Sequence, residues 1–343
     1  MDQPPFFHAT HHSMKKRCTD HDYRSRSMYM VTLTVEGRRN LLGSLVGDPA
    51  LPVGQAGAAA LSPSLLGTAV EEEWKDVPKR YPEVADIALQ LMPDHLHLIA
   101  FVTRRLEVTF PTVIASFEGH CRQRYKSLIT RGLAPAVPQY ILEEQDLAKK
   151  ERRKSQLGLL FEIGFNDKIL WRAGELQSWR RYLADNPRRR LIKERCPDLF
   201  TVKRNIGSHG YTFEALGNAF LLDYPRRVFV QCSRRISDAD LAALLRKAEP
   251  DFANESVFVS ASVSPGEKLV MRQAFDRGCP TIVLRENGFA QYEKPHGKAF
   301  DACAEGKLLL LAPWEHHTEK KLISREQCLN LNRMAQAIST DRL

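Results

Sequence analysis

Alternation of apolar and small or polar residues marks several extended segments along the chain. Tyr29 to Val35 (YMVTLTV) alternates and is rich in β-formers, which predicts a strand stopped by Gly37. Val84 to Val102 (VADIALQLMPDHLHLIAFV) is broken once, at Pro93 and Asp94, which predicts two β-segments meeting at a turn or bulge, the second being HLHLIAFV. Pro111 to Thr130 has helical spacing instead, with Val113, Phe117, Cys121 and Tyr125 on one side.

Between these elements, Leu41 to Gly67 is rich in Gly, Ala, Pro and Ser without a sustained period and reads as an inserted loop. Ser62 with Pro63 can open a helix running through about Arg80. A charged segment, Glu143 to Lys154, precedes GLLFEIGFNDKILW, in which two apolar runs flank Gly164, Asn166 and Asp167 as a hairpin would. Glu175 to Glu194 then reads as a helix interrupted by Pro187.

The pattern changes past about residue 205. Strand-like runs RVFVQC (227–232), VFVSASV (257–263), TIVLRE (281–286) and KLLLLAP (307–313) alternate with helix-like segments starting near Ser237, Ser264, Gly297 and Ser324. Such alternation predicts a parallel sheet with helices on both faces. Ser264-Pro265 places an N-cap before proline at the first helical position, and Ser324 to Gln327 forms a capping box. With 343 residues, two domains are expected, 1–204 and 205–343.

Composition narrows the chemistry. A formal charge of +9 with plentiful acidic residues describes a folded protein with a positive bias, for which polyanions are suitable partners. Seven scattered cysteines with no C-x-x-C pair suggest neither a zinc ribbon nor a disulfide framework and fit a reducing cytoplasm. No apolar run approaches the roughly 20 residues that span a bilayer, and MDQPPFFHATHHSMKK lacks the apolar core of a signal peptide. A cytoplasmic protein without membrane association is expected.

Two strand residues separated by one face the same side, so His95 and His97 can direct both imidazoles at one ion while Leu96 enters the core. A His-x-His pair on a strand is also how two surface or hydrogen-bonded side chains look. The helix around Tyr182 adds to it, because Tyr182 and Asn186 are four apart and share a face. Nitrogen and oxygen ligands without thiolate suit Mg²⁺ or Mn²⁺ acting on a phosphate, although imidazole also accepts Zn²⁺.

Tyr182 is then a candidate nucleophile, a phenol needing a nearby cation or base to act as phenolate. Tyr125, on the earlier helix, is a rival without the Tyr-x-x-x-Asn spacing. Arg180, Arg181, Arg188, Arg189 and Arg190 flank Tyr182 and can hold a phosphodiester backbone, with Arg122 and Arg124 a second set. A charge run of this kind is also what a solvated helix face looks like.

Three phrases together resemble the HUH single-strand nucleases, and among them the REP-associated tyrosine transposases: YMVTL after DHDYRSRS, LMPDHLHLIAFV, and GFNDKILWRAGELQSWRRYLADNPRRRLI. The resemblance covers roughly residues 20 to 198. It implies a ferredoxin-like α+β domain with the His pair on a central strand, His95 and His97 as metal ligands, Asn186 at the additional ligand position, Tyr182 as nucleophile and Mg²⁺ or Mn²⁺ as cofactor. It further implies single-stranded or hairpin DNA as partner and DNA transposition or recombination as the process; monomer and homodimer both stay open.

Residues about 222 to 340 resemble the DNA-processing protein A (Smf) family and the related SLOG domains, through YPRRVFVQCSRRISD and VFVSASVSPGEKLVMRQAFDRGCPTIVLRENG. An α/β Rossmann-like, doubly wound domain is implied, with Cys232 where that family has glycine. Ser264 and Gly266 lie at a strand-to-helix junction, and Ser233 and Arg234 at the end of the preceding strand, where such sheets hold anions or nucleotides. Two further readings stand beside strand transfer: a non-catalytic DNA-binding or regulatory protein whose second domain senses nucleotide or DNA, and a nucleotide-processing second domain.

Overall fold

The computed structural model describes residues 18–138, 160–162, 164–319 and 322–343. The charged segment Glu143 to Lys154 and the first seventeen residues therefore lie outside the described residues. The chain is of mixed α/β class and divides into two compact units, Met1–Leu191 and Ile192–Leu343.

The first unit runs β1 (Ser27–Thr34), β2 (Gly43–Val46), β3 (Ala60–Pro63), α1 (Leu65–Lys75), α2 (Val77–Arg80), β4 (Val84–Met92), β5 (His95–Val102), α3 (Phe110–Thr130), β6 (Asn166–Ile169) and α4 (Glu175–Arg195). Four of these strands form one antiparallel sheet in the order β4-β5-β1-β6, so β5 is central. Strand periodicity sorts the side chains. Tyr29, Val31 and Leu33 of β1 and Leu96, Leu98 and Ala100 of β5 are buried in a core shared with Trp74, Val113, Phe117 and Cys121 of α1 and α3. The intervening positions, including Thr32, His95 and His97, face the other side.

Three sequence expectations change here. The 41–67 segment is not simply a loop, because β2 and β3 pair as an antiparallel ribbon; its Gly, Ala and Pro content hides short strands from a propensity reading. Ser62 and Pro63 end β3, and the helix is capped by Ser64, whose hydroxyl accepts from Gly67 N at 3.0 Å. Gly67 is required there, since a Cβ would lie 2.0 Å from the Leu42 carbonyl oxygen.

The expected hairpin around Gly164 is the third. Phe161 pairs with Val35, and Asn166 to Ile169 pair with Thr32 to Tyr29, so both apolar runs follow one another along the same edge of β1. Gly164, at φ +81°, interrupts this edge strand rather than turning it back. A glycine in a bulge and a glycine in a turn look alike in sequence. Pro187, for its part, lies inside a continuous α4.

The second unit runs β7 (Lys203–Ser208), β8 (Tyr211–Gly217), β9 (Arg227–Phe229), α5 (Asp238–Ala253), β10 (Val257–Ser260), α6 (Pro265–Asp276), β11 (Thr281–Leu284), α7 (Lys298–Ala304), β12 (Leu308–Ala312), α8 (Arg325–Ile338) and β13 (Asp341–Arg342). Its sheet has the order β13-β9-β10-β11-β12-β8-β7, parallel from β13 through β12. Strands β8 and β7 add an antiparallel edge that the sequence reading did not anticipate. Leu331, Ala335 and Ile338 of α8 pack on one face, and Ala248, Phe252, Val270 and Met271 of α5 and α6 on the other. The residues N-capping α5, α6, α7 and α8 are Ser237, Ser264, Gly297 and Ser324.

Candidate active site

The β4–β5 connection is tight, only Pro93 and Asp94 separating Met92 from His95. This turn delivers His95 and His97 to the sheet face opposite the α1/α3 core, with ring centroids 4.9 Å apart at 84°. The β1–β5 register sets Thr32 opposite His97, and its hydroxyl oxygen lies 2.8 Å from His97 Nδ1. His95 Nδ1 lies 2.7 Å from Asp94 Oδ1. Both Nδ1 atoms are thus engaged by oxygen partners, so an ion held by this pair would be met by the Nε2 atoms.

Burial keeps both rings neutral. His97, 8 % exposed, is pushed down to about 3 by loss of hydration, with the charge of His95 adding to the effect. His95 is also lowered by burial, against the opposing hydrogen bond and charge of Asp94. Burial alone would raise the Asp94 carboxyl, but the His95 hydrogen bond and charge, with Arg190 and Arg38, outweigh it and hold it below the ordinary range. Neutral imidazoles are the form that binds a metal.

Helix α4 crosses this face. Tyr182 brings its ring to 6.3 Å from that of His97, at 66°, and leaves 44 % of itself exposed. Eight residues further on, Arg190 Nη1 is 3.9 Å from Asp94 Oδ2. Asn186 lies midway between these contacts on the same stripe of the helix, so α4 runs antiparallel to β5 with Asn186 turned to the sheet. Asn186 is 8 % exposed, and its buried Nδ2 has no hydrogen-bond partner among the described residues. As placed, this end is an N–H donor; with the two ends of the amide exchanged, the carbonyl oxygen, the end that a cation takes, would stand there instead.

A set of two neutral imidazoles and one amide fits a hydrated divalent ion. Among the described residues there is no group of three or more His, Cys, Asp or Glu side chains able to hold a metal. The metal assignment therefore concerns His95, His97 and Asn186 alone.

Tyr125 is removed from this site. It is fully buried in the core on the other sheet face, its hydroxyl donating to Pro135 O at 2.9 Å and accepting from Arg39 at 2.8 Å. Arg122 and Arg124 share that α3 helix and are not brought to the histidines; Arg124 instead binds the buried Glu73 at 2.9 Å. Of the α4 arginines, Arg188 grips Asp185 through two hydrogen bonds of 2.5 and 3.2 Å, and Arg189 reaches the same carboxylate at 3.6 Å. Arg180 and Arg181 are exposed and, among the described residues, bonded only to the backbone carbonyls of Ile87 and Gln177, at 3.3 and 3.4 Å. The residues missed by sequence reasoning are Asp94 and Thr32. Asp94 sits beside His95 in the chain and was available as a signal, whereas Thr32 is identified only by strand register.

In the second unit the proposed anion position is filled from within. Glu267, 1 % exposed, accepts from Val263 N at 2.7 Å, Ser264 N at 3.1 Å and Cys232 N at 3.3 Å, while the Ser264 hydroxyl caps Glu267 N. Ser264 and Gly266 thus serve a self-capped helix start. Cys232 Sγ would be 2.6 Å from a Cβ on Gly266 and occupies the space beside that glycine. Ser233 accepts from Arg235 N at 3.1 Å, and Arg234 donates to Cys328 Sγ at 3.2 Å. Burial raises the Cys232 thiol.

No helix among the described residues is long and apolar enough to cross a membrane. No protein-family model matches the chain. An uncharacterized protein of Haemophilus influenzae is 24 % identical over 97 residues, which cover 28 % of this chain; the chain spans about half of that relative, 48 % of its length. Three solved structures overlap parts of the chain. DNA processing protein A from Helicobacter pylori, described with a single-stranded DNA binding mode, aligns over 42 % of this chain and 67 % of its own at 18 % identity and a TM-score of 0.31. A REP-associated tyrosine transposase bound to a REP hairpin aligns over 51 % of this chain and 70 % of its own, at 11 % identity and 0.27. A putative transposase of Deinococcus radiodurans aligns over 49 % of this chain and 96 % of its own, at 12 % identity and 0.25.

Proposed function

We propose that this chain cleaves and rejoins single-stranded DNA through a phosphotyrosine at Tyr182, the first unit, Met1–Leu191, acting as an HUH-type, ferredoxin-like nuclease domain and the second, Ile192–Leu343, as a Rossmann-like domain. The observation that carries the proposal is the convergence on one sheet face of His95, His97 and the Tyr182 ring, 6.3 Å from His97, with both histidines oriented by Asp94 and Thr32.

His95 and His97 would hold Mg²⁺ or Mn²⁺ with the Asn186 amide. Bound there, the ion supplies polarisation of the scissile phosphate. The chain's own residues do the rest. Tyr182 loses its phenolic proton to solvent, and its oxygen bonds to phosphorus as the bond from phosphorus to the 3′ oxygen breaks; that oxygen takes up a proton. Attack by a 3′-hydroxyl reverses the step and completes strand transfer. Arg180 and Arg181, exposed on the nucleophile helix, are the arginines available to a phosphodiester backbone.

For the second unit, the Glu267 carboxylate within the start of α6 disfavours a nucleotide phosphate at that helix start. The decisive experiment incubates the full chain with labelled hairpin-bearing single-stranded DNA and Mn²⁺ and reads denaturing gels. A covalent adduct is expected from wild type and none from Tyr182→Phe. Equal adduct from both proteins overturns the nucleophile; adduct unaffected by chelator overturns the metal site.

A further inference from the structure

We propose that Asp94 is a positioning residue that ties a metal ligand to the nucleophile helix: one of its oxygens orients His95 and the other anchors α4 through Arg190. This deepens the function proposed above and rests on that reading.

Asp94 is 5 % exposed, and a carboxylate so removed from water is sustained only by specific partners. The two oxygens divide the work. Oδ1 lies 2.7 Å from His95 Nδ1, and Oδ2 lies 3.9 Å from Arg190 Nη1 and 3.7 Å from Arg38 Nη1. As acceptor only, the carboxylate accepts a hydrogen bond from Nδ1–H of neutral His95, which fixes the tautomer with the lone pair on Nε2. The backbone holds the carboxylate in place, since Val35 N donates to Asp94 O at 2.9 Å and Leu42 N to Pro93 O at 3.0 Å.

Arg190 stands two helical turns beyond Tyr182, about 12 Å along the axis, on the same face. Tyr182 meets His97 at one end of this stripe and Arg190 meets Asp94 at the other. The helix is therefore pinned at both ends of the His-x-His segment. A shift of α4 that drew Tyr182 away from His97 would stretch the Arg190–Asp94 pair as well. Arg190, read from sequence as a phosphate contact, is assigned here to this anchor.

The test uses the full chain in two states. In metal-free protein, nitrogen NMR of the histidine rings reports the tautomer, and hydrogen exchange reports docking of α4. Asp94→Ala is expected to give a mixed His95 tautomer and at least about fivefold faster exchange in α4, whereas Arg190→Gln keeps the tautomer and speeds only the exchange. With Mn²⁺ alone as the probe, calorimetry should show Asp94→Ala binding about 10–100-fold more weakly than wild type. Asp94→Asn, which keeps an acceptor oxygen without the charge, should restore much of the tautomer and not the anchoring; it also guards against misfolding in the alanine variant. An unchanged tautomer and unchanged α4 exchange in Asp94→Ala overturn the proposal. Failure of wild type to bind Mn²⁺ sinks the metal reading instead, and the two metal-free measurements still decide the role of Asp94.

Discussion

The hydroxyl of Thr32 lies 2.8 Å from Nδ1 of His97, across a ladder in which the two residues are directly paired. A strand in the middle of the sheet thus sets the orientation of a ring whose other nitrogen is turned outward. Thr32→Val keeps the shape and removes the hydroxyl. It is expected to weaken Mn²⁺ binding about tenfold or more, the usual loss when the partner behind a ligating histidine is deleted. Calorimetric titration of wild type and variant would check this; equal affinities would leave His97 oriented by packing alone.

Tyr182 is 44 % exposed and, among the described residues, makes only ring contacts, with His97 and Trp179. Tyr182→Phe should leave thermal stability within about 0.5 kcal/mol, as for other exposed positions, while abolishing the covalent DNA adduct. Melting curves and adduct gels on the same preparation separate chemistry from folding.

Tyr125 behaves in the opposite way. Its buried hydroxyl joins Arg39 to the Pro135 carbonyl, so Tyr125→Phe should cost about 1–3 kcal/mol of stability by stranding those partners. The DNA adduct should persist. Loss of adduct in a folded Tyr125→Phe protein would return the rival nucleophile to consideration.

His97 is held near 3 by burial, far below the ordinary histidine value. Between pH 6.5 and 3 the unfolded chain binds the proton and the folded one does not, so stability is full above about 6.5 and is lost as pH falls. In metal-free protein the protection of β1 and β5 amides should drop by up to about 4 kcal/mol over that window. His97→Gln should flatten the dependence. Hydrogen exchange measured at several pH values supplies the comparison.

Gly266→Ala places a methyl 2.6 Å from Cys232 Sγ. A loss of about 1–3 kcal/mol is expected from this overpacking, and Cys232→Ala in the same chain should restore most of it. A double-mutant cycle by denaturant melting measures the coupling; independent effects would show that the thiol does not fill that space.

Much of the architecture was legible. The serine caps at 237, 264 and 324 were visible because capping is a local matter of side chain and backbone, and His95 and His97 fell on one face because strand period is fixed at two. Register was not legible. That Thr32 backs His97, that residues 161–169 all follow β1, and that β8 joins the parallel strands depend on partners distant in sequence. Charge was legible only as an inventory. The arginine run on α4 looked uniform, yet Arg188 and Arg189 are engaged with Asp185 and Arg190 with Asp94, while Arg180 and Arg181 rest on backbone carbonyls.

The buried Glu267 has a consequence for life in a crowded cell. A helix start whose own glutamate already accepts the backbone N–H groups of Val263, Ser264 and Cys232 leaves an incoming phosphate fewer donors to meet, which makes the α6 start a poor foothold for a free nucleotide. The start of α6 is thus completed by the chain's own side chains and calls on no bound anion to hold its shape.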